Sequence, residues 1–165
     1  MFSFIVAILF GVVSTGTAST QTPIITSCSD THVAVIDDMT ITNAKVGERM
    51  SFSYSGHLNQ DLNESPSLKM TMTKKKDNSK IMCFSNVGSC EYKLCGGTSD
   101  VEKKITEGWN NVCPVPAGKH KGSASFQIPF FAGFLIGDGN INIKMEIING
   151  GNVVECNHFD VKIEK

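Results

Sequence analysis

Cys113-Pro114-Val115-Pro116-Ala117-Gly118, Phe126-Gln127-Ile128-Pro129, Gly139-Asn140-Ile141-Asn142-Ile143-Lys144-Met145-Glu146-Ile147 and Gly150-Gly151-Asn152-Val153-Val154-Glu155-Cys156 follow one another near the end of the 165-residue chain. The first piece is a turn by its prolines and glycine. In the third, Ile141, Ile143, Met145 and Ile147 alternate with Asn142, Lys144 and Glu146. That is the period of an antiparallel strand with one buried and one wet face. Gly150-Gly151 then reads as a hairpin turn that sends the chain back through Cys156. Between the second and third pieces, 129–137 is apolar without alternating, and glycines interrupt it.

The same rhythm of two runs through the rest of the chain. Val33 and Val35 alternate, as do Met39 and Ile41, with Asp37-Asp38 between them predicting a bulge or polar turn. Met50, Phe52 and Tyr54 share a face opposite Ser51, Ser53 and Ser55; Leu68, Met70 and Met72 form another row, and Phe159, Val161 and Ile163 a last one. Lys45-Val46-Gly47, Lys76-Asp77-Asn78-Ser79, Pro116-Ala117-Gly118 and Asn149-Gly150-Gly151 mark the turns. About seven short strands so punctuated predict an all-β, immunoglobulin-like antiparallel β-sandwich. One segment departs from the pattern: Ser99-Asp100-Val101-Glu102 has the form of a capping box that opens a helical turn through Ile105 and stops near Gly108.

The chain begins with the apolar run Phe2–Val13, followed by small residues up to Ala18. It is short for a bilayer span and predicts a signal peptide over 1–18, although its start carries no Lys or Arg; a membrane anchor is the rival reading. The remainder, 19–165, is long enough for one domain with its own core. A net charge of −1 argues against a nucleic-acid partner. All six cysteines (Cys28, Cys83, Cys90, Cys95, Cys113 and Cys156) lie after the apolar run. An even count behind a signal peptide reads as a disulfide framework, and six cysteines allow 15 pairings among which spacing alone does not choose.

Taken in order, the proline-glycine turn, the strand, the apolar loop and the Gly-Gly hairpin into a cysteine resemble the C-terminal half of the ML (lipid-recognition) domain. That family includes the ganglioside activator, the Niemann-Pick sterol carriers and the group 2 mite allergens. The resemblance extends over Cys28 to Ile163 and is clearest after Cys113. It implies a β-sandwich opened to hold a lipid, acting without catalysis or cofactor. It implies the pairing Cys28–Cys156, Cys83–Cys90 and Cys95–Cys113. It also implies a lipid-binding set: Phe52, Tyr54, Met70, Met72, Phe126, Ile128, Phe130, Phe131, Phe134, Leu135, Ile143 and Met145. The short N-terminal disulfide loop and the proline-rich mouth of the sterol-carrying branch are missing, which ranks sterol behind glycolipid, phospholipid and fatty acyl chains.

Enzymatic constellations are scarce. His32, His57, His120 and His158 have no spacing that would set two of them on one metal, and they are expected on the surface. No thiol is left over for a nucleophile, and Asp37-Asp38, adjacent on a strand, would point to opposite faces. No catalytic or metal-binding residue is therefore expected. The apolar faces admit two readings from pattern alone, a filled sandwich or, as the resemblance implies, a hollow one. In the hollow reading Met39, Met50, Met70, Met72, Met82 and Met145 supply flexible side chains that follow an acyl chain. Residues 129–137 are either a strand end folded onto the core or a mobile lip that meets ligand and, transiently, a membrane surface. Lys74-Lys75-Lys76 is either a solvated turn or an attraction for anionic headgroups. Asn63-Glu64-Ser65 fits the glycosylation sequon, with Pro66 unfavourable behind it. The expectation is a secreted lipid-binding protein that holds an amphiphile for transfer or presentation, in the extracellular space or a lysosome-like lumen. Its rivals are an innate-immune-type co-receptor that docks on a receptor, and a packed-core secreted binder without ligand.

Overall fold

Alternation over these lengths can bury one face only by pairing two sheets, and the computed structural model, which describes residues 18–165, has that form. The expected signal peptide, 1–18, lies outside the described residues except for Ala18. In chain order the elements are β1 (Thr20–Gln21), β2 (Thr26–Ser27), β3 (Ala34–Thr42), β4 (Arg49–Leu58), β5 (Ser67–Lys74), β6 (Lys80–Ile81), β7 (Glu91–Lys93), helix α1 (Asp100–Ile105), a 3-10 turn (Glu107–Trp109), β8 (Gly118–Gln127), helix α2 (Ala132–Leu135), β9 (Asn140–Asn149) and β10 (Asn152–Lys162). One sheet runs β1-β3-β4-β8. The other runs β2-β10-β9-β5-β6, with β7 also paired to β5. All of these strand pairings are antiparallel.

Register sets what faces inward, because a slip of one residue would turn every row outward. In the first sheet Met39 lies opposite Tyr54 and Ile41 opposite Phe52. In the second, Met145 lies opposite Met70 and Ile143 opposite both Met72 and Phe159. The Asp37-Asp38 interruption is a bulge: pairing shifts between Ile36 and Asp38, so Ile36 before it and Met39 after it both pack on the core. Gly56 faces this bulge, where a side chain would collide with the Val35 carbonyl. The β9–β10 hairpin turns at Gly150 and Gly151 with φ of +59° and +77°, the left-handed pair that a two-residue turn requires.

The helical departure is also present. Ser99 caps α1 by accepting from the Glu102 amide, and Glu102 reaches back to the Ser99 amide, 3.0 Å away. The disulfides are Cys28–Cys156, Cys83–Cys90 and Cys95–Cys113. The last brackets α1 and its 3-10 turn and pins them beside β8. The first joins β2 to β10. Near it, buried Glu155 accepts from Ser29 Oγ at 2.7 Å, from the Ala34 amide at 3.2 Å and from the Cys156 amide at 3.0 Å. That carboxylate ties the start of β3 to the second sheet.

Two local expectations need correction. The 129–137 segment is not irregular throughout: α2 forms inside it, and Ala132 and Ile136, four residues apart on one helical face, are buried in the core. Met82 does not face the interior but is 70 % exposed, because the tight Cys83–Cys90 loop turns it out.

Candidate functional site

The sandwich is hollow where its first sheet runs short of side chain. On β8 the inward residues opposite Gly56, Tyr54 and Phe52 are His120, Gly122 and Ala124. Two of these three are nearly without volume, so the large rings of Tyr54 and Phe52 on β4 have no bulky residue directly opposite them. Tyr54 leans across Gly122, with Cε1 2.9 Å and the hydroxyl 3.1 Å from where a Cβ on Gly122 would stand. Phe52 lies beside it, ring centroids 5.9 Å apart. The space left is a cavity of about 260 Å³ between the sheets, near the lower end of ligand pockets, which run from about 300 to 1,000 Å³. It passes from Leu62 and Val115, below α1, to Ala132 and Ile136 at the α2 end.

Most of the residues expected to bind lipid meet around this space. Phe52, Tyr54, Met70, Met72, Phe126, Ile128, Ile143 and Met145 form its walls, and Phe131 and Leu135 reach it from the α2 segment. Phe130 and Phe134 do not line it. They are 79 % and 92 % exposed, and the Phe130 ring covers Gly47, where a Cβ would collide with it. Exposed lining residues Asn86, Lys104, Phe131 and Leu135 mark the mouth, whereas Ser123, paired with Ser53 on the outer face, does not turn its side chain into it. Beside it, Phe84 of the Cys83–Cys90 loop stands edge-on to Phe131, ring centroids 5.0 Å apart. Phe84, Phe130, Phe134 and Met82 thus leave an exposed apolar collar outside the mouth.

Several cavity residues carry no signal in the sequence: Asn86, Tyr92, Lys104, Trp109 and His120. His120, expected on the surface, stands inward. Its Nε2 donates to the Pro116 carbonyl at 2.7 Å, and its ring meets Trp109 edge-on at 5.5 Å. Burial pushes the Tyr54 hydroxyl above the usual tyrosine value. Burial raises that of Tyr92 too, helped by the charge of Glu102. Tyr92 donates to the Asn86 carbonyl at 2.9 Å and so holds the Cys83–Cys90 loop at the rim, whereas the Tyr54 hydroxyl has no hydrogen-bond partner among the described residues. Lys104 Nζ donates to the Ser125 carbonyl at 3.1 Å and pairs with no carboxylate among the described residues.

The described residues contain no cluster of His, Cys, Asp or Glu able to hold a metal and no free cysteine. His57, on the outer face, lies 3.5 Å from Asp37 of the bulge. What the arrangement offers is apolar volume. Water needs two to four polar partners to stay in such a space, and these walls supply few.

In fold the chain is similar to a Niemann-Pick type C2 protein from the Japanese carpenter ant, with a TM-score of 0.56 and 12 % identity, over 86 % of this chain and 99 % of that one. It is also similar, with a TM-score of 0.48 and 10 % identity, to the C-terminal domain of wzt, over 87 % of this chain and 78 % of that one. No protein-family model and no curated protein matches the sequence. The chain therefore has the β-sandwich fold of the Niemann-Pick type C2 protein, the fold that the ML-domain resemblance implied.

Proposed function

We propose that this protein binds an amphiphilic lipid between its two sheets and carries or presents it, acting without catalysis. The observation that carries this reading is the apolar cavity with an open rim. A hollow of about 260 Å³ left empty costs on the order of 6 kcal/mol at about 24 cal/mol per Å³. That is as large as the whole net stability of many domains, so an occupant is favoured. A long acyl chain supplies on the order of 10 kcal/mol before ordering costs, at about 0.8 kcal/mol per methylene. Glycolipids, phospholipids and fatty acids present such chains; a sterol is the less favoured guest.

The exposed phenylalanines outside the mouth support a transient contact with a membrane surface during loading. The same collar favours a second reading, in which a receptor docks on it and the lipid-filled protein serves as a co-receptor. Three disulfides fit an oxidising compartment, so we place the protein outside the cytoplasm, secreted or in a lysosome-like lumen, with 1–18 removed and 19–165 as one domain.

Mass spectrometry of an organic extract of the purified protein tests the main reading. A lipid near one equivalent is expected, together with displacement of a fluorescent acyl probe; an empty protein that takes up no acyl chain or sterol would refute it. Sequencing the N-terminus of secreted material tests removal of 1–18.

A further inference from the structure

We infer that the lipid carries an anionic head, and that Lys104 is the residue that selects it. The inference rests on the lipid-binding reading above and gives it a ligand class.

The mouth has two chemically different sides. Phe131 and Leu135 form one; Asn86 and Lys104 form the other. Lys104 leaves the last turn of α1, crosses to the edge of β8 and donates to the Ser125 carbonyl, leaving two ammonium protons for another acceptor. No carboxylate among the described residues neutralises it. Glu102, two positions earlier on the same helix, is turned away and consumed by the amides of Lys93, Thr98 and Ser99. Lys119 and Lys121, which flank the inward-facing His120 on β8, are also exposed and without ion-pair partners among the described residues. An uncompensated cation at the rim of an otherwise apolar slot attracts an anion and stabilises it through charge-assisted hydrogen bonds.

The slot behind the rim is lined along much of β4. Its β4 wall runs from Met50 to Leu58, about 25 Å at a strand's rise per residue. A volume of about 260 Å³ spread over that length suits one extended chain better than a fused-ring body. Carboxylate and phosphate heads share the chemistry that Lys104 and Asn86 can meet.

The test compares palmitate, hexadecyl phosphate and uncharged hexadecanol as competitors against a fluorescent acyl probe. Lys104→Gln should weaken palmitate or hexadecyl phosphate about five- to tenfold, the scale of a partly exposed charge-assisted contact. It should leave hexadecanol unchanged, and Lys104→Arg should restore the anion. Whichever anion binds wild type more tightly identifies the head. Equal losses for anion and alcohol would make Lys104 a packing strut and overturn the inference, as would no loss for either anion. If wild type binds none of the three chains, the lipid-cavity reading itself has failed, an outcome distinct from failure of the head-group assignment.

Discussion

The Tyr54 hydroxyl stands 3.1 Å from the point that a Cβ on Gly122 would occupy, the two residues being opposite each other on β4 and β8. A side chain on β8 here would drive the ring into the cavity. Gly122→Val should therefore leave the strand paired, since valine suits a strand, while cutting acyl-probe affinity at least severalfold. Titration with the probe beside a thermal melt separates the two effects. Unchanged affinity in a folded variant would mean that this part of the hollow is unused.

Ile143 is 7 % exposed and faces Met72 and Phe159. Ile143→Asp places a carboxylate among apolar neighbours at a cost of several kcal/mol, and loss of cooperative unfolding or of lipid uptake is expected. Ser53→Ala, on the outer face, should shift stability by no more than about 0.5 kcal/mol. Lys144 is a different outer position. Burial raises the pKa of the Glu146 carboxyl, but the Lys144 hydrogen bond and the charges of Lys144 and Lys69 outweigh this and hold it below the usual value. Lys144→Ala should accordingly destabilise more than Ser53→Ala in urea titrations.

The collar and the core beneath it should come apart by mutation. Phe131→Ser with Phe134→Ser alters one partly exposed ring and one fully solvated ring, so lipid transfer between vesicles should slow severalfold with little change in melting temperature. Ile136→Ser, from the buried face of the same segment, should cost about 2–4 kcal/mol as other large-to-small core changes do. A double variant that unfolds would show that the phenylalanines are structural.

Glu102 provides the pH dependence. The Lys93 amide, against the opposing effect of burial and with the help of Ser99 and Thr98, lowers its carboxyl from 4.5 to about 2. A depressed carboxylate stabilises the fold above its unfolded value, and that stability drains away as pH falls from about 4.5 towards 2. The α1 cap should loosen over that window, seen as lost protection of the Lys93 and Ser99 amides, each measured against its intrinsic exchange rate at the same pH. In Glu102→Gln, whose amide does not ionise, that protection should no longer change across the acid window.

Much of the sandwich was readable because Ile141, Ile143 and Met145, like Met50, Phe52 and Tyr54, alternate with polar residues, and alternation records burial directly. β8 was harder to read for the reason that makes the site. Its inward row passes through His120, Gly122 and Ala124, and positions kept small to leave a cavity carry little hydrophobic signal. Lys104 and Asn86 gave none either, because each is an ordinary exposed polar residue until the Cys95–Cys113 and Cys83–Cys90 bonds bring its segment to the rim. In 129–137 the apolar run was visible, but its division was not: helical periodicity over α2, too short to register as a pattern, turns Ala132 and Ile136 inward and Phe134 out.

The rim is furnished largely by pieces outside the long strand ladders: a disulfide-closed loop, a bracketed helix and a four-residue helix. Insertions or substitutions there could widen or narrow the aperture while the strand register stayed as it is. In an evolving lineage, the choice of guest would then drift faster than the vessel that holds it, and related chains could share this architecture while differing in cargo.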